Sequence, residues 1–207
     1  RDEVRKLLDQ HSPLSRVREV VEGGQAFDRD LWKRMAELGW VGLAMPEVHG
    51  GAGLDLETLI VVLEETGRSL VPSPLVSTVI AARAIERFGS EAQRARWLPG
   101  LADGSRIGTF AWLERSDRLD PAGVEATAKV DGDRLVLSGE KRFVTDASSA
   151  DLFVVGVRTG SAPEAVSLVV VGKDASGVST DDYEGMDLTK RIGRLRLDEV
   201  RVEADCV

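Results

Sequence analysis

The period of the hydrophobic positions changes near residue 106. Before it, apolar residues recur every three or four positions, the spacing of a helix with one buried face. Val4, Leu7 and Leu8 begin the series; Leu14, Val17, Val20 and Val21 continue it until Gly23-Gly24. Ser12-Pro13 between them is a helix-start signal. Asp28 is placed to cap a helix carrying Leu31, Trp32, Met35 and Leu38, which Gly39 closes. Val41 to Pro46 is too short for a helix. The spacing then predicts a long helix over 55–69, with Leu56, Leu59, Ile60 and Leu63 on its apolar face and Glu57, Glu64, Glu65 and Arg68 on a solvated one. Pro72 and Pro74 break it. The segment 75–88 is nearly apolar up to Ala82, which predicts a buried helix, and Ser90 caps a short one that Pro99-Gly100 stops.

Beyond residue 106 the alternation has period two, and turn residues separate short runs. Strands are predicted over 107–113, 124–130, 134–138, 141–145, 152–158, 166–171 and 194–202. Asp131-Gly132-Asp133 is a strong hairpin signal between the second and third. The fold class is therefore α+β: an all-helical domain over 1–106, followed by a β-barrel- or sandwich-like domain over 107–207.

Hydrophobic residues make up 43% of the 207 and charged residues 30%, which excludes a disordered or collagen-like chain. The net charge of −8 argues against phosphate-backbone binding, so no nucleic-acid partner is expected. Cys206 is the single cysteine, so no intramolecular disulfide can form; its thiol has no visible activating neighbour. Two histidines and one cysteine, far apart, make no metal-ligand cluster. No apolar run reaches the length of a membrane span, and no signal peptide is visible, so a cytoplasmic location is the default. The start at Arg1 and the stop at Val207 suggest a segment of a longer protein.

Few residues suggest chemistry on their own. Gly50-Gly51-Ala52-Gly53 lacks the Gly-Lys-Ser/Thr ending of a phosphate loop and follows no strand; it reads as a tight turn. His11 and His49 are solitary and suit surface or turn positions. The strands over 107–113 and 141–145 offer more: Phe110, Trp112 and Phe143 give flat aromatic surface, and Thr145 gives a hydroxyl. Aromatics on strands are usually core, but a planar ring ligand could use this combination.

Five stretches, in order, resemble the acyl-CoA dehydrogenase family. Leu38-Gly39-Trp40-Val41-Gly42-Leu43-Ala44-Met45-Pro46-Glu47 leads into His49-Gly50-Gly51-Ala52-Gly53-Leu54. Leu63-Glu64-Glu65-Thr66-Gly67-Arg68 is the second, and the run from Phe88 to Gly104 is the third. Leu137-Ser138-Gly139-Glu140-Lys141-Arg142-Phe143-Val144-Thr145 is similar to the family's L-x-G-x-K-x-W-I-T segment. Leu197-Asp198-Glu199-Val200-Arg201-Val202 is the fifth.

The resemblance implies the helical and middle β domains of a three-domain protein. It implies FAD as cofactor, an acyl-CoA thioester as substrate, α,β-dehydrogenation as the reaction, and an electron-transfer flavoprotein as electron acceptor. A homo- or hetero-oligomer is also implied. Thr145 matches the threonine that reaches the flavin N5 edge, and Phe143 stands where a tryptophan packs on the ring. Phe110, Trp112 and Leu113 match the strand under the flavin, where Leu113 replaces a threonine. Ser77 and Ile80 lie on the helix that matches the acyl-pocket wall. The family's catalytic base, a glutamate of the third domain, has no counterpart in this chain. Two alternatives stand beside an enzyme. One is a non-catalytic partner subunit of a heteromeric dehydrogenase, such as one acting on steroid side-chain CoA esters. The other is a binding module without flavin.

Overall fold

A computed structural model describes residues 1–116 and 118–203; Cys206 and Asp117 lie outside the described residues. Six helices come first: α1 (Asp2–His11), α2 (Leu14–Glu22), α3 (Arg29–Glu37), α4 (Leu56–Arg68), α5 (Leu75–Phe88) and α6 (Glu91–Ala102). Seven strands follow: β1 (Gly108–Ala111), β2 (Thr127–Asp131), β3 (Arg134–Thr145), β4 (Leu152–Arg158), β5 (Val166–Gly172), β6 (Val178–Asp182) and β7 (Ile192–Glu203). The change of period near residue 106 thus falls in the gap between α6 and β1.

Local chemistry explains the helix ends. The Asp28 carboxylate accepts from the backbone N–H groups of Asp30 and Leu31, both at 3.1 Å, and so caps α3. Ser90 and Gln93 form a reciprocal capping box at the start of α6. Pro99 does not stop α6. The missing N–H costs one hydrogen bond, but the last turn buries Leu101 and Ala102, and Asp103 N–H still reaches the Pro99 carbonyl at 3.0 Å.

The buried face of α4 is rotated from the one the spacing predicts. Leu59 and Val62 are buried, while Leu56 and Ile60 are about half exposed. Glu65, expected in solvent, is 2% exposed. Arg5 of α1 grips it with Nε at 2.9 Å and Nη2 at 2.7 Å, and Arg68 Nε lies at 3.0 Å. These hydrogen bonds, with Arg5 first, hold its pKa down at about 2, against the opposing pull of burial. The pair docks α1 on α4.

The strands form one curled, mixed sheet, a half-barrel ordered β1-β4-β2-β3-β7-β6, with β5 paired to β4. β1 runs parallel to β4, from Gly108↔Leu152 to Ala111↔Val155. β5 covers the other edge of β4 antiparallel. The predicted strands 134–138 and 141–145 are one long strand, β3, which pairs with β7 through two register shifts. β6 escapes the sequence pattern because its residues, Val-Ser-Thr-Asp-Asp, have no apolar alternation to reveal it. One hydrophobic cluster runs from Met35, Leu59 and Leu75 of the helices into Leu137, Phe153 and Leu195 of the sheet. A second joins Ile85, Trp97, Leu98 and Leu101 to Leu152 and Val154. α5 belongs to both, so it is the plate on which the sheet rests.

Candidate functional site

A cavity of about 480 Å³ lies between α5, α6 and the face of β1, β4 and β5. Ile85, Phe88, Phe110, Trp112, Val154 and Leu168 give it an apolar wall; Gln93, Glu164 and Ser167 are its polar lining. Phe110 and Trp112 stand two residues apart and so share one face. Their rings are nearly parallel, 8° apart, with centroids at 6.1 Å. Two features hold Trp112 in this pose. Its Nε1 donates to the Leu119 carbonyl at 3.0 Å. Under the ring lies Gly156, where a Cβ would come within 2.6 Å of Trp112 Cε3. Only glycine lets the indole lie this close to β4.

β1 and its extension are tied to β3 at two points. Thr109 Oγ1 donates to the Thr145 carbonyl at 2.6 Å, and Arg142 N–H donates to the Leu113 carbonyl at 2.8 Å. Leu113 is thereby brought beside the segment that carries Phe143. Phe143 sits in the β-bulge between Lys141 and Val144, with φ 52°. The bulge turns its ring outward, where it is 49% exposed. Tyr183 packs against it at 5.6 Å, and the Tyr183 hydroxyl is buried with no hydrogen-bond partner among the described residues. The Thr145 side-chain hydroxyl likewise has no partner among them.

The sequence-derived candidates therefore fall into three places. Phe110 and Trp112 line the cavity. Leu113, Phe143 and Thr145 lie on the tied β1–β3 edge and do not line it. The helix residues part company: Ile80 is half exposed, whereas Ser77 is 3% exposed and its hydroxyl faces inward, 2.7 Å from Asp146 Oδ2 and 3.0 Å from the Pro74 carbonyl.

Sequence reasoning missed a buried ion pair beneath this edge. Lys141 is fully buried, and its Nζ lies 2.5 Å from Glu114 Oε1 and 3.3 Å from the Trp112 carbonyl. Glu114 also accepts from the N–H groups of Glu125 and Ala126 at 3.0 Å. One carboxylate thus ties the segment after Leu113, the start of β2 and the middle of β3. Burial pushes the Lys141 ammonium below the ordinary lysine range, and Glu114 opposes that shift. The signal was available in the alternation of β3, which places Lys141 at an inward position in line with Leu135 and Leu137.

Other candidates resolve simply. In the turn over residues 50–53, the N–H groups donate to the carbonyls of Glu47, Pro46, Gly42 and Met45, so none is left to cradle a phosphate. Gly50 and Gly53 adopt φ 85° and 64° there. His49 ends the short helical turn just before it and is buried, with Nε2 3.9 Å from Glu91. Among the described residues, no group of three His, Cys, Asp or Glu side chains could hold a metal, and no helix is long and apolar enough to cross a membrane.

A helical region set on a curled half-barrel, with an apolar cavity at their junction, defines a class of fold that comparison with known proteins identifies. The model of the acyl-CoA dehydrogenase N-terminal domain matches residues 1–105, and that of the acyl-CoA dehydrogenase middle domain matches residues 109–200. The chain belongs to the acyl-CoA dehydrogenase family, whose members normally bind FAD. It is 35% identical over 187 residues to acyl-CoA dehydrogenase FadE12 of Mycobacterium tuberculosis, covering 86% of this chain and 47% of that protein. Among solved structures, a variant of the Tcur3481–Tcur3483 steroid ACAD is 37% identical with a TM-score of 0.83, over 97% of this chain and 54% of that one. A glutaryl-CoA dehydrogenase from Mycobacterium smegmatis in complex with FADH2 is 27% identical with a TM-score of 0.83, over 98% and 52%. The chain spans about half the length of the curated relatives it matches.

Proposed function

We propose that this chain is the helical domain, 1–106, and the β domain, 107–207, of a flavin-dependent acyl-CoA dehydrogenase. The observation that carries the reading is the tied β1–β3 edge beside the apolar cavity. It offers a half-exposed aromatic ring at Phe143 and a hydroxyl without a partner at Thr145. A flavin needs these two features, an apolar surface for its rings and a donor at their edge, so the residues present fit the group. Phe143, Thr145 and Leu113 would hold FAD, with Phe110 and Trp112 behind them. Ile80 and the cavity wall of α5 would meet the acyl group, whereas Ser77 would act from inside the helix. When bound, FAD supplies the hydride acceptor, and the protein's part is to bind and orient. Thr145 would donate a hydrogen bond to N5, and the apolar wall would keep water from the acyl chain. The proton at Cα needs a carboxylate base; among the described residues the carboxyls at this edge, Glu114 and Asp146, are buried and engaged by Lys141 and Ser77, so neither is proposed for that role. An electron-transfer flavoprotein as acceptor and an oligomeric assembly complete the proposal.

The second reading, a non-catalytic partner subunit, draws on Leu113, which supplies no hydroxyl where the family pattern has threonine. The two-component name of the steroid ACAD relative points the same way. One experiment separates the two. The gene product is purified, its flavin absorbance recorded, and its anaerobic bleaching by a panel of straight-chain and steroid-side-chain CoA esters followed by stopped flow. Bleaching by any ester supports the enzyme; flavin that stays oxidised with all of them supports the partner subunit; a colourless protein that takes up no FAD refutes both.

A further inference from the structure

Asp146 directly follows Thr145 and is 4% exposed. The chain turns there through φ 55°, a left-handed conformation that aspartate and asparagine tolerate better than most residues. Its backbone is fully tied. The N–H donates to the Arg191 carbonyl at 2.7 Å, and the carbonyl accepts from Ser149 and Ala150, each at 3.0 Å. Its side chain reaches across to α5, where Ser77 Oγ lies 2.7 Å from Oδ2. Lys190, just before β7, donates Nζ to the Ser73 carbonyl at 2.7 Å and closes the junction from outside. The end of β3, the first turn of α5 and the approach to β7 therefore meet at one residue, α5 through its carboxyl and the approach to β7 through its backbone N–H.

We infer that Asp146 is the positioning residue for Thr145: its carboxyl, docked on Ser77, fixes the end of β3 against the helix that walls the cavity. This rests on the reading of Thr145 as the hydroxyl at the flavin edge. The hydrogen bonds say which form of the carboxyl does this. Ser77 has one hydroxyl proton but two acceptors, Asp146 Oδ2 and the Pro74 carbonyl at 3.0 Å. An ionised Asp146 would have to share that one proton with Pro74, whereas an Asp146 that carries a proton and donates it to Ser77 Oγ, while Ser77 donates to Pro74, gives each contact its own. The surroundings agree. Burial raises the Asp146 carboxyl above the usual carboxylate range and Asp182 of β6 adds to that, while Lys190 and Ser77 pull it down. Burial and the single Ser77 proton together favour a neutral donor at this junction over a charge.

That distinction sets the test. Asp146→Asn keeps a donor toward Ser77 and keeps the left-handed turn, whereas Asp146→Ala and Ser77→Ala each break the chain of hydrogen bonds. All three variants are made in the complete gene product. Amide hydrogen exchange is followed over residues 143–147 and 75–80, and FAD affinity and flavin absorbance are recorded from pH 5 to 9. The expected result is faster exchange in both segments for Asp146→Ala and Ser77→Ala, with about tenfold weaker FAD binding and a shifted flavin band. Asp146→Asn is expected to restore all three to the wild-type level. Wild-type exchange and flavin spectrum in Asp146→Ala would overturn the inference, and so would a failure of Asp146→Asn to rescue, since a charge would then be the working group. If the wild type takes up no FAD, the functional reading has failed on its own account. Exchange then still decides: wild-type protection in Asp146→Ala overturns the inference, and its loss with rescue by Asp146→Asn upholds it.

Discussion

Replacing Glu114 by Gln is the sharpest available test of what holds the β1–β3 edge together. The substitution keeps size and shape, so no cavity forms. It removes the charge that faces Lys141 Nζ at 2.5 Å, in a place where Lys141 is fully buried and the Trp112 carbonyl at 3.3 Å is its other partner. The glutamine oxygen can serve either Lys141 or the N–H groups of Glu125 and Ala126; its amide NH₂ then faces a donor. Removing one member of a buried ion pair costs about 3–5 kcal/mol, because an uncompensated charge is left behind. For a chain of this size each kcal/mol lowers Tm by roughly 2–4 °C, so a fall of roughly 6–20 °C is expected.

The opposite substitution, Lys141→Met, should cost less. Glu114 keeps its two backbone donors and loses only the ammonium, so a cost near the lower end of the same range, about 3 kcal/mol, is expected. The double variant should cost clearly less than the sum, because removing both charges leaves no unpaired one. Urea unfolding followed by circular dichroism on all four proteins measures the cycle. A cost below about 1 kcal/mol for Glu114→Gln is what an exposed ion pair gives, and would refute the view of this pair as the pin of the edge.

Three further outcomes follow from the geometry. Glu65 is held at a pKa of about 2 against an ordinary 4.5; a depressed carboxylate contributes stability that is complete above the ordinary value and lost as pH falls toward the depressed one, so the α1–α4 dock should weaken between pH 4.5 and 2, and Arg5→Ala should flatten that dependence in an acid titration of thermal stability. Gly156→Val puts side-chain atoms where Trp112 lies and should cost about 1–3 kcal/mol by overpacking, with a shift in tryptophan emission; an unchanged emission spectrum would contradict the pose of Trp112. Thr145→Val removes the edge donor while keeping shape, and flavin reduction should slow roughly ten- to a hundredfold, about 1.4–2.7 kcal/mol of barrier; an unchanged rate with flavin fully bound would remove Thr145 from the site.

Much of the helical region was legible because its caps are local. Asp28 and Ser90 act within three residues of themselves, and Asn, Asp, Ser or Thr at such places can be seen in sequence. The errors came where a partner from elsewhere decided the outcome. Nothing within α4 says that Glu65 is inside; Arg5, sixty residues earlier, makes it so. A run of charges next to an apolar stripe looks the same whether a carboxylate meets water or a guanidinium. Pro99 likewise stops a helix only if nothing compensates the lost bond, and burial of Leu101 compensates it.

The candidate edge shows the same limit in sharper form. Residue types gave Phe110, Trp112, Phe143 and Thr145 as a group, yet strand alternation alone would place Phe143 and Thr145 on one face in strict register with their neighbours. The register shift between Lys141 and Val144 breaks that rule. One extra residue in β3 turns Phe143 outward and leaves Lys141 pointing in, so a charged side chain occupies the core while an aromatic one faces solvent. That inversion is costly unless something meets each group. Glu114 meets the lysine. Tyr183 meets part of the ring, and a flat apolar ligand would meet the rest. A buried lysine beside a half-exposed phenylalanine, two residues apart on one strand, is the arrangement the proposed flavin site requires, and it supports that proposal without needing any further residue.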